Sequence, residues 1–135
     1  MITKQISIFV ENRHGRLAEI TDIIGRNKIN IRAVSIADTT DFGILRIIVD
    51  DPDNAVNILA ENNITASLTS VLSVPVNDNP GGLADVLNVL AANDITVDYM
   101  YAYISHADDR AYVILRTEKE AEAEEILEKN GFAIK

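Results

Sequence analysis

The chain is written twice. Gly15-Arg16-Leu17-Ala18 returns as Gly81-Gly82-Leu83-Ala84, sixty-six positions later. At the same spacing Ser7 falls on Ser73, Val10 on Val76, Asn27 on Asn93, Ile29 on Ile95 and Ile31 on Val97. Ile47-Ile48-Val49 falls on Val113-Ile114-Leu115. Near the ends the spacing grows to sixty-eight, where Ile58-Leu59 meets Ile126-Leu127 and Asn62 meets Asn130. The second copy therefore carries a two-residue insertion before or within its last helix. A register held this far marks a duplicated unit, and whatever one half folds into, the other must fold into as well. The expected modules are residues 1–67 and 68–135.

Each copy reads as strand, helix, strand, strand, helix, strand. Residues 5–11 alternate, with Ile6, Ile8 and Val10 on one face. Glycine ends that strand at Gly15, and Leu17, Ile20 and Ile24 then recur at helical spacing. Residues 30–37 and 44–50 are rich in β-formers and are joined by a polar turn. Asp51-Pro52 has the form of an N-cap followed by proline in the first helical turn. Ala55, Val56, Ile58 and Leu59 supply the second helix, and residues 64–67 a short last strand. Copy two repeats the order with a strand at 71–77, a helix bearing Leu83, Val86, Leu87 and Leu90, and strands at 96–105 and 111–117. Its last helix carries Ala121, Ile126 and Leu127 among many glutamates, and Ala133-Ile134 closes the chain. Those glutamates read as a solvated face.

A βαββαβ unit of this size folds as an antiparallel four-stranded sheet with two helices on one face. The expected fold class is thus α+β, two ferredoxin-like βαββαβ modules in tandem. Leu45, Ile47 and Val49 should face the helices, as should Ala111, Val113 and Leu115. The opposite positions are Ile44, Arg46 and Ile48 in one copy and Arg110, Tyr112 and Ile114 in the other. That second set is too apolar for water, so the copies, or two chains, are expected to pack there or to join edge to edge. A module this small is marginal alone, which also favours pairing and a homodimer. The join at 65–71 has no Gly or Pro, so the copies should be held rigidly.

Composition removes several functions. The formal charge is −9, and such a chain repels phosphate backbones and anionic membranes, so neither nucleic acid nor membrane is an expected partner. There is no cysteine, which excludes disulfides, thiolate metal sites and a cysteine nucleophile. Only His14 and His106 offer imidazole, too few for an ordinary transition-metal site, and no cofactor or metal is expected. No apolar run approaches the roughly 18 residues that cross a bilayer. The N-terminus lacks the apolar core of a signal peptide, so the expectation is a cytoplasmic protein.

The informative segments are the two turns between first strand and first helix. They read Asn12-Arg13-His14-Gly15-Arg16-Leu17 and Asp78-Asn79-Pro80-Gly81-Gly82-Leu83. Glycine allows a tight turn and a close backbone approach. The helix that follows exposes free N–H groups and the positive end of its dipole, a seat for a carboxylate. An Asn or Asp before the turn can take an ammonium group. Together these form half of an α-amino-acid receptor. Asn30, with Thr96 as its counterpart, opens the second strand and is placed to reach such a site from a neighbouring module. The plainer alternative makes both turns simple connections, with Asn12 and Asp78 as helix caps.

At these residues the chain resembles the ACT domain family. That family shows a pattern like Asp/Asn-Arg/Lys-Pro-Gly-x-Leu after an apolar strand, then a short helix, then x-Ile-Asn-Ile opening strand two. Copy one has Asn12 to Leu17 and Ile29-Asn30-Ile31; copy two has Asp78 to Leu83 and Ile95-Thr96-Val97. ACT domains are regulatory modules that commonly bind amino acids where paired domains meet, and they control enzymes such as phosphoglycerate dehydrogenase and acetolactate synthase. The resemblance implies an amino-acid-binding regulatory protein that acts on a metabolic enzyme in trans. It implies one site lined by Asn12, Gly15, Leu17 and Asn30, and another by Asp78, Pro80, Gly81, Gly82, Leu83 and Thr96. His14 stands where the family has proline, and Thr96 where it has asparagine, so the sites should not be equivalent. Copy two has the better turn, since Pro80 fixes φ and Asp78 carries a full charge. Copy one offers Arg13 and Arg16, which suit an acidic ligand.

Tyr99, Tyr101 and Tyr103 alternate on one edge strand and share a face, an arrangement suited to packing or an interface more than to ligand contact. Catalysis finds little support. His14 has no nucleophile or orienting carboxylate in any recognisable pattern, and His106 lies in a polar turn beside Asp108 and Asp109, whose adjacent side chains diverge. The glycine turns lack the downstream Lys-Ser/Thr of a P-loop. Two alternatives remain: a structural or oligomerisation subunit without ligand, and an acylphosphatase-like hydrolase using Arg13 or Arg16 with Asn30, a fold analogy without the matching loop pattern.

Overall fold

A computed structural model of the chain describes residues 2–11, 13–38, 41–105 and 110–132. Asn12, His106, Asp108, Asp109 and the expected closing strand at Ala133-Ile134 lie outside the described residues. The chain divides into two compact units, Lys4–Thr69 and Ser70–Lys135, the latter counting residues 1–3 as well. The fold is α+β, with six antiparallel strands and four helices among the described residues.

The first unit holds β1 (Ile2–Glu11), α1 (Arg16–Arg26), β2 (Ile31–Asp38), β3 (Phe42–Val49), α2 (Pro52–Glu61) and the beginning of β4 (Ala66–Val76). Its strands run β2-β3-β1, with Ile6 opposite Ile47 and Ile8 opposite Leu45. One extra residue, Arg32, bulges where β2 joins β3. The second unit holds the rest of β4, then α3 (Gly82–Ala92), β5 (Tyr99–Ser105), β6 (Arg110–Arg116) and α4 (Glu120–Lys129). Its strands run β4-β6-β5, with Val74 opposite Val113 and Met100 opposite Leu115.

Period-two strands and period-3.6 helices bury matching stripes, so each unit has its own core. The first is dominated by isoleucine: Ile6, Ile8, Ile20, Ile24, Ile47 and Ile64 are all buried in it. The second uses leucine and valine, among them Leu72, Val74, Val86, Leu90, Leu115 and Leu127. The inward positions expected on β3 and β6 are buried, Ala111 only partly so. On the opposite face Ile48 and Ile114 are buried too, while Ile44, Arg46 and Tyr112 are half-buried. Leu17 and Leu83 depart from the expected helical stripes. They are 42% and 40% exposed, because the buried side of each helix starts one turn later, at Ile20 and Val86. Ala121 is likewise exposed, and Ala123 and Leu127 form the buried side of α4.

All four helices stop in one way, which explains the repeated asparagines. Asn27, Asn62, Asn93 and Asn130 are the C-caps, and each donates its side-chain amide to the carbonyl four residues back. The next residue, Lys28, Asn63, Asp94 or Gly131, takes a positive φ. The N–H after it, from Ile29, Ile64, Ile95 or Phe132, returns to the last helical turn. This closes the orphan carbonyls and drops an apolar side chain toward the core.

The expected separate strands at 64–67 and 71–77 are one continuous strand, β4. Ala66-Ser67-Leu68-Thr69-Ser70-Val71 contains no residue with turn chemistry, so nothing ends the strand there. No helix among the described residues is long and apolar enough to cross a membrane.

Candidate functional site

The two strand-to-helix turns share one backbone scaffold. In the first, the Arg13 N–H donates to the Glu11 carbonyl at 2.8 Å, Arg16 N–H to Arg13 at 3.3 Å and Glu19 N–H to Gly15 at 3.0 Å. In the second, Asn79 N–H donates to Asn77 at 2.9 Å, Gly82 N–H to Asn79 at 3.1 Å and Asp85 N–H to Gly81 at 3.0 Å. Gly15 and Gly81 are the N-caps, with φ of 84° and 90°, a left-handed conformation that suits only residues without a Cβ penalty. Neither helix has a side-chain cap. Asp78 therefore does not cap α3, and its exposed carboxylate stands beside the turn. The turn's own hydrogen bonds use the N–H groups of Gly82 and Asp85, which leaves those of Leu83 and Ala84 for a ligand at the positive end of the helix.

What fills the scaffold differs. A Cβ on Gly82 would lie 2.1 Å from the Asn77 carbonyl oxygen, so the second turn closes tightly over a bare backbone. Arg16 occupies the equivalent position in the first turn, and its side chain is only 13% exposed. Its guanidinium pairs with Glu19 at 3.2 Å and Glu11 at 3.8 Å, while Arg13 pairs with the same two glutamates at 3.2 and 3.4 Å. Arg16 Nε is buried without a hydrogen-bond partner. The arginines that suited an acidic ligand thus already hold two carboxylates. The expectation missed Glu11 and Glu19, although the Arg16 to Glu19 spacing of i, i+3 at a helix start was a signal for it. In copy two those places fall to Asn77 and Asp85, with no arginine between them.

The site residues from the strand-two openings sit elsewhere. The Asn30 N–H donates to an Asp50 carboxylate oxygen at 3.0 Å, and the Asp50 N–H returns to the Asn30 carbonyl at 3.2 Å. That places Asn30 at the end of the sheet where β2 begins and β3 finishes. The glycine turn follows Val10, which is opposite Gly43 at the other end. Thr96 is likewise at the far end of its unit, in a depression of about 290 Å3 lined also by Asp94, Asp98, Thr117, Glu118 and Lys119. Within one unit, then, turn and strand opening do not come together. Pro80, Gly81 and Leu83 are exposed and contiguous with Asp78, and Gly82 lies buried beneath them. Tyr103 stacks on Tyr112 with ring centroids 5.4 Å apart, so at least that tyrosine serves packing.

Residues 1–134 match a family described as an ACT domain pair. The crystal structure of protein BT0572 from Bacteroides thetaiotaomicron is 38% identical, with a TM-score of 0.89 over 96% of this chain and 89% of that one. The ligand-free regulatory subunit of aspartate kinase from Thermus thermophilus is 17% identical, with a TM-score of 0.64 over 97% of each chain. The corresponding subunit from Thermus flavus is 16% identical, with a TM-score of 0.59 over 93% of this chain and 90% of that one. At such identities the two kinase subunits share the fold alone. No curated protein matches the chain.

Proposed function

The chain belongs to the ACT domain pair family, and from that premise we propose that it is a non-enzymatic regulator that binds a small amino acid or related metabolite at the turn between β4 and α3. The observation that carries this reading is the uncapped N-terminus of α3 behind Gly81 and Gly82, with the exposed Asp78 carboxylate next to it. A ligand carboxylate takes the free N–H groups of the first helical turn. The ammonium group faces Asp78, and the exposed Leu83 offers apolar contact to the ligand's side chain. The first turn is the weaker receptor, because Glu11 and Glu19 already occupy its arginines. Thr96 and Asn30 enter such sites from a second copy of the chain. The regulated enzyme is a separate protein, since this fold carries regulation in the family. A chain without cysteine suits a reducing cytoplasm.

A thermal-shift series with each of the twenty amino acids at millimolar concentration tests the reading. One or a few should raise the melting temperature, since a ligand at a hundred times its Kd stabilises by about 2.7 kcal/mol. Asp78→Lys should remove the rise without lowering the ligand-free melting temperature. A protein indifferent to all twenty would favour the alternative of a purely structural subunit.

A further inference from the structure

We propose that β2 is the seam of a two-fold dimer, in which β2 of one copy pairs antiparallel with β2 of a second copy, centred on Ser35. The strand stands at the edge of its sheet. An edge presents a row of backbone N–H and C=O groups that can template another strand. Natural edges are usually guarded by proline, lysine or an inward charge, and Ile31-Arg32-Ala33-Val34-Ser35-Ile36-Ala37-Asp38 has neither proline nor lysine. It exposes apolar surface instead, with Val34 at 59% and Ile36 at 48%.

The order of the residues names the occupant. A two-fold contact must be self-complementary, so that residue i meets j and j meets i. Centred on Ser35, the strand meets its own reverse with Val34 opposite Ile36 and Ala33 opposite Ala37. Position 32 then falls opposite position 38, an arginine opposite an aspartate, twice over by symmetry. Arg32 is the bulged residue, and its long side chain spans the small offset the bulge introduces. Sliding the register by two residues breaks both the apolar and the charged matches. β5, the other edge strand, reads apolar in both directions about Ala102, yet its ends are Tyr99 and Ser105, with no charge to fix a register. The inference is independent of whether any amino acid binds.

Sedimentation and single-cysteine crosslinking test it on the full chain. The wild type should be dimeric at micromolar concentration. Arg32→Asp sets like charges opposite each other at both ends of the seam and should weaken dimerisation on the order of tenfold. The double swap Arg32→Asp with Asp38→Arg should restore it, with circular dichroism checking the fold of each variant. Because the chain has no cysteine, Ser35→Cys should give a disulfide-linked dimer on mild oxidation, whereas Ala37→Cys, whose mate is position 33, should not. A monomer overturns the proposal. So does a dimer indifferent to Arg32→Asp, crosslinking that favours position 37 over 35, or an open-ended assembly, which places the pairing on β5.

Discussion

The two strand-to-helix turns are the same backbone with opposite contents. Both use a left-handed glycine as N-cap and the same three hydrogen bonds. One is filled by Arg16 and ringed by Arg13, Glu11 and Glu19; the other is bare backbone behind Gly82, with a lone exposed Asp78. Duplication first makes two equal turns, and divergence then lets one satisfy its charges internally while the other keeps them for something else. The difference lies in side chains alone, so substitutions can weigh it one position at a time.

The largest effect belongs to Gly82→Ala. A Cβ there meets backbone rather than a flexible side chain, so the turn itself must shift, at a cost on the order of 3 kcal/mol. Urea unfolding should show it, and a loss of a few tenths would mean that the second turn is no tighter than the first. Next come Gly15→Ala and Gly81→Ala. Both sites have open space around the missing Cβ, so only the positive φ opposes the change, and each should lose on the order of 1 kcal/mol. Equal losses confirm a shared scaffold; unequal ones break the comparison at its base. Arg16→Ala should cost less still, at most about 1 kcal/mol, and the loss should shrink in molar salt, because the ion pairs are largely at the surface.

Much of this was legible in the sequence. Residues 16–26 and 82–92 keep the sixty-six-residue spacing as helices α1 and α3. Helices α2 and α4 stand sixty-eight apart, where the insertion was expected. The strand patterns placed Leu45, Ile47, Val113 and Leu115 inward because period two leaves little choice. Periodicity failed where burial ends within an element. Leu17 and Leu83 fit a helical stripe, yet the first turn of each helix projects beyond the sheet. It failed again at β4, since two patterned strands with no breaker between them become one. The candidate site divided in the same way. Gly15, Gly81 and Gly82 are required by backbone geometry, which sequence reveals. The pairing of Arg13 and Arg16 with Glu11 and Glu19 depends on three-dimensional neighbours across the turn, and the separation of Asn30 and Thr96 from the turns follows from strand direction.

Titration calorimetry on the amino acid giving the strongest thermal shift tests the central claim most directly, using wild type, Asp78→Lys and Arg16→Ala. Binding at the second turn requires that Asp78→Lys abolish the heat or weaken affinity at least about tenfold, with Arg16→Ala leaving it unchanged. Heat that survives in Asp78→Lys but disappears in Arg16→Ala would contradict the account and move the receptor to the turn it describes as filled.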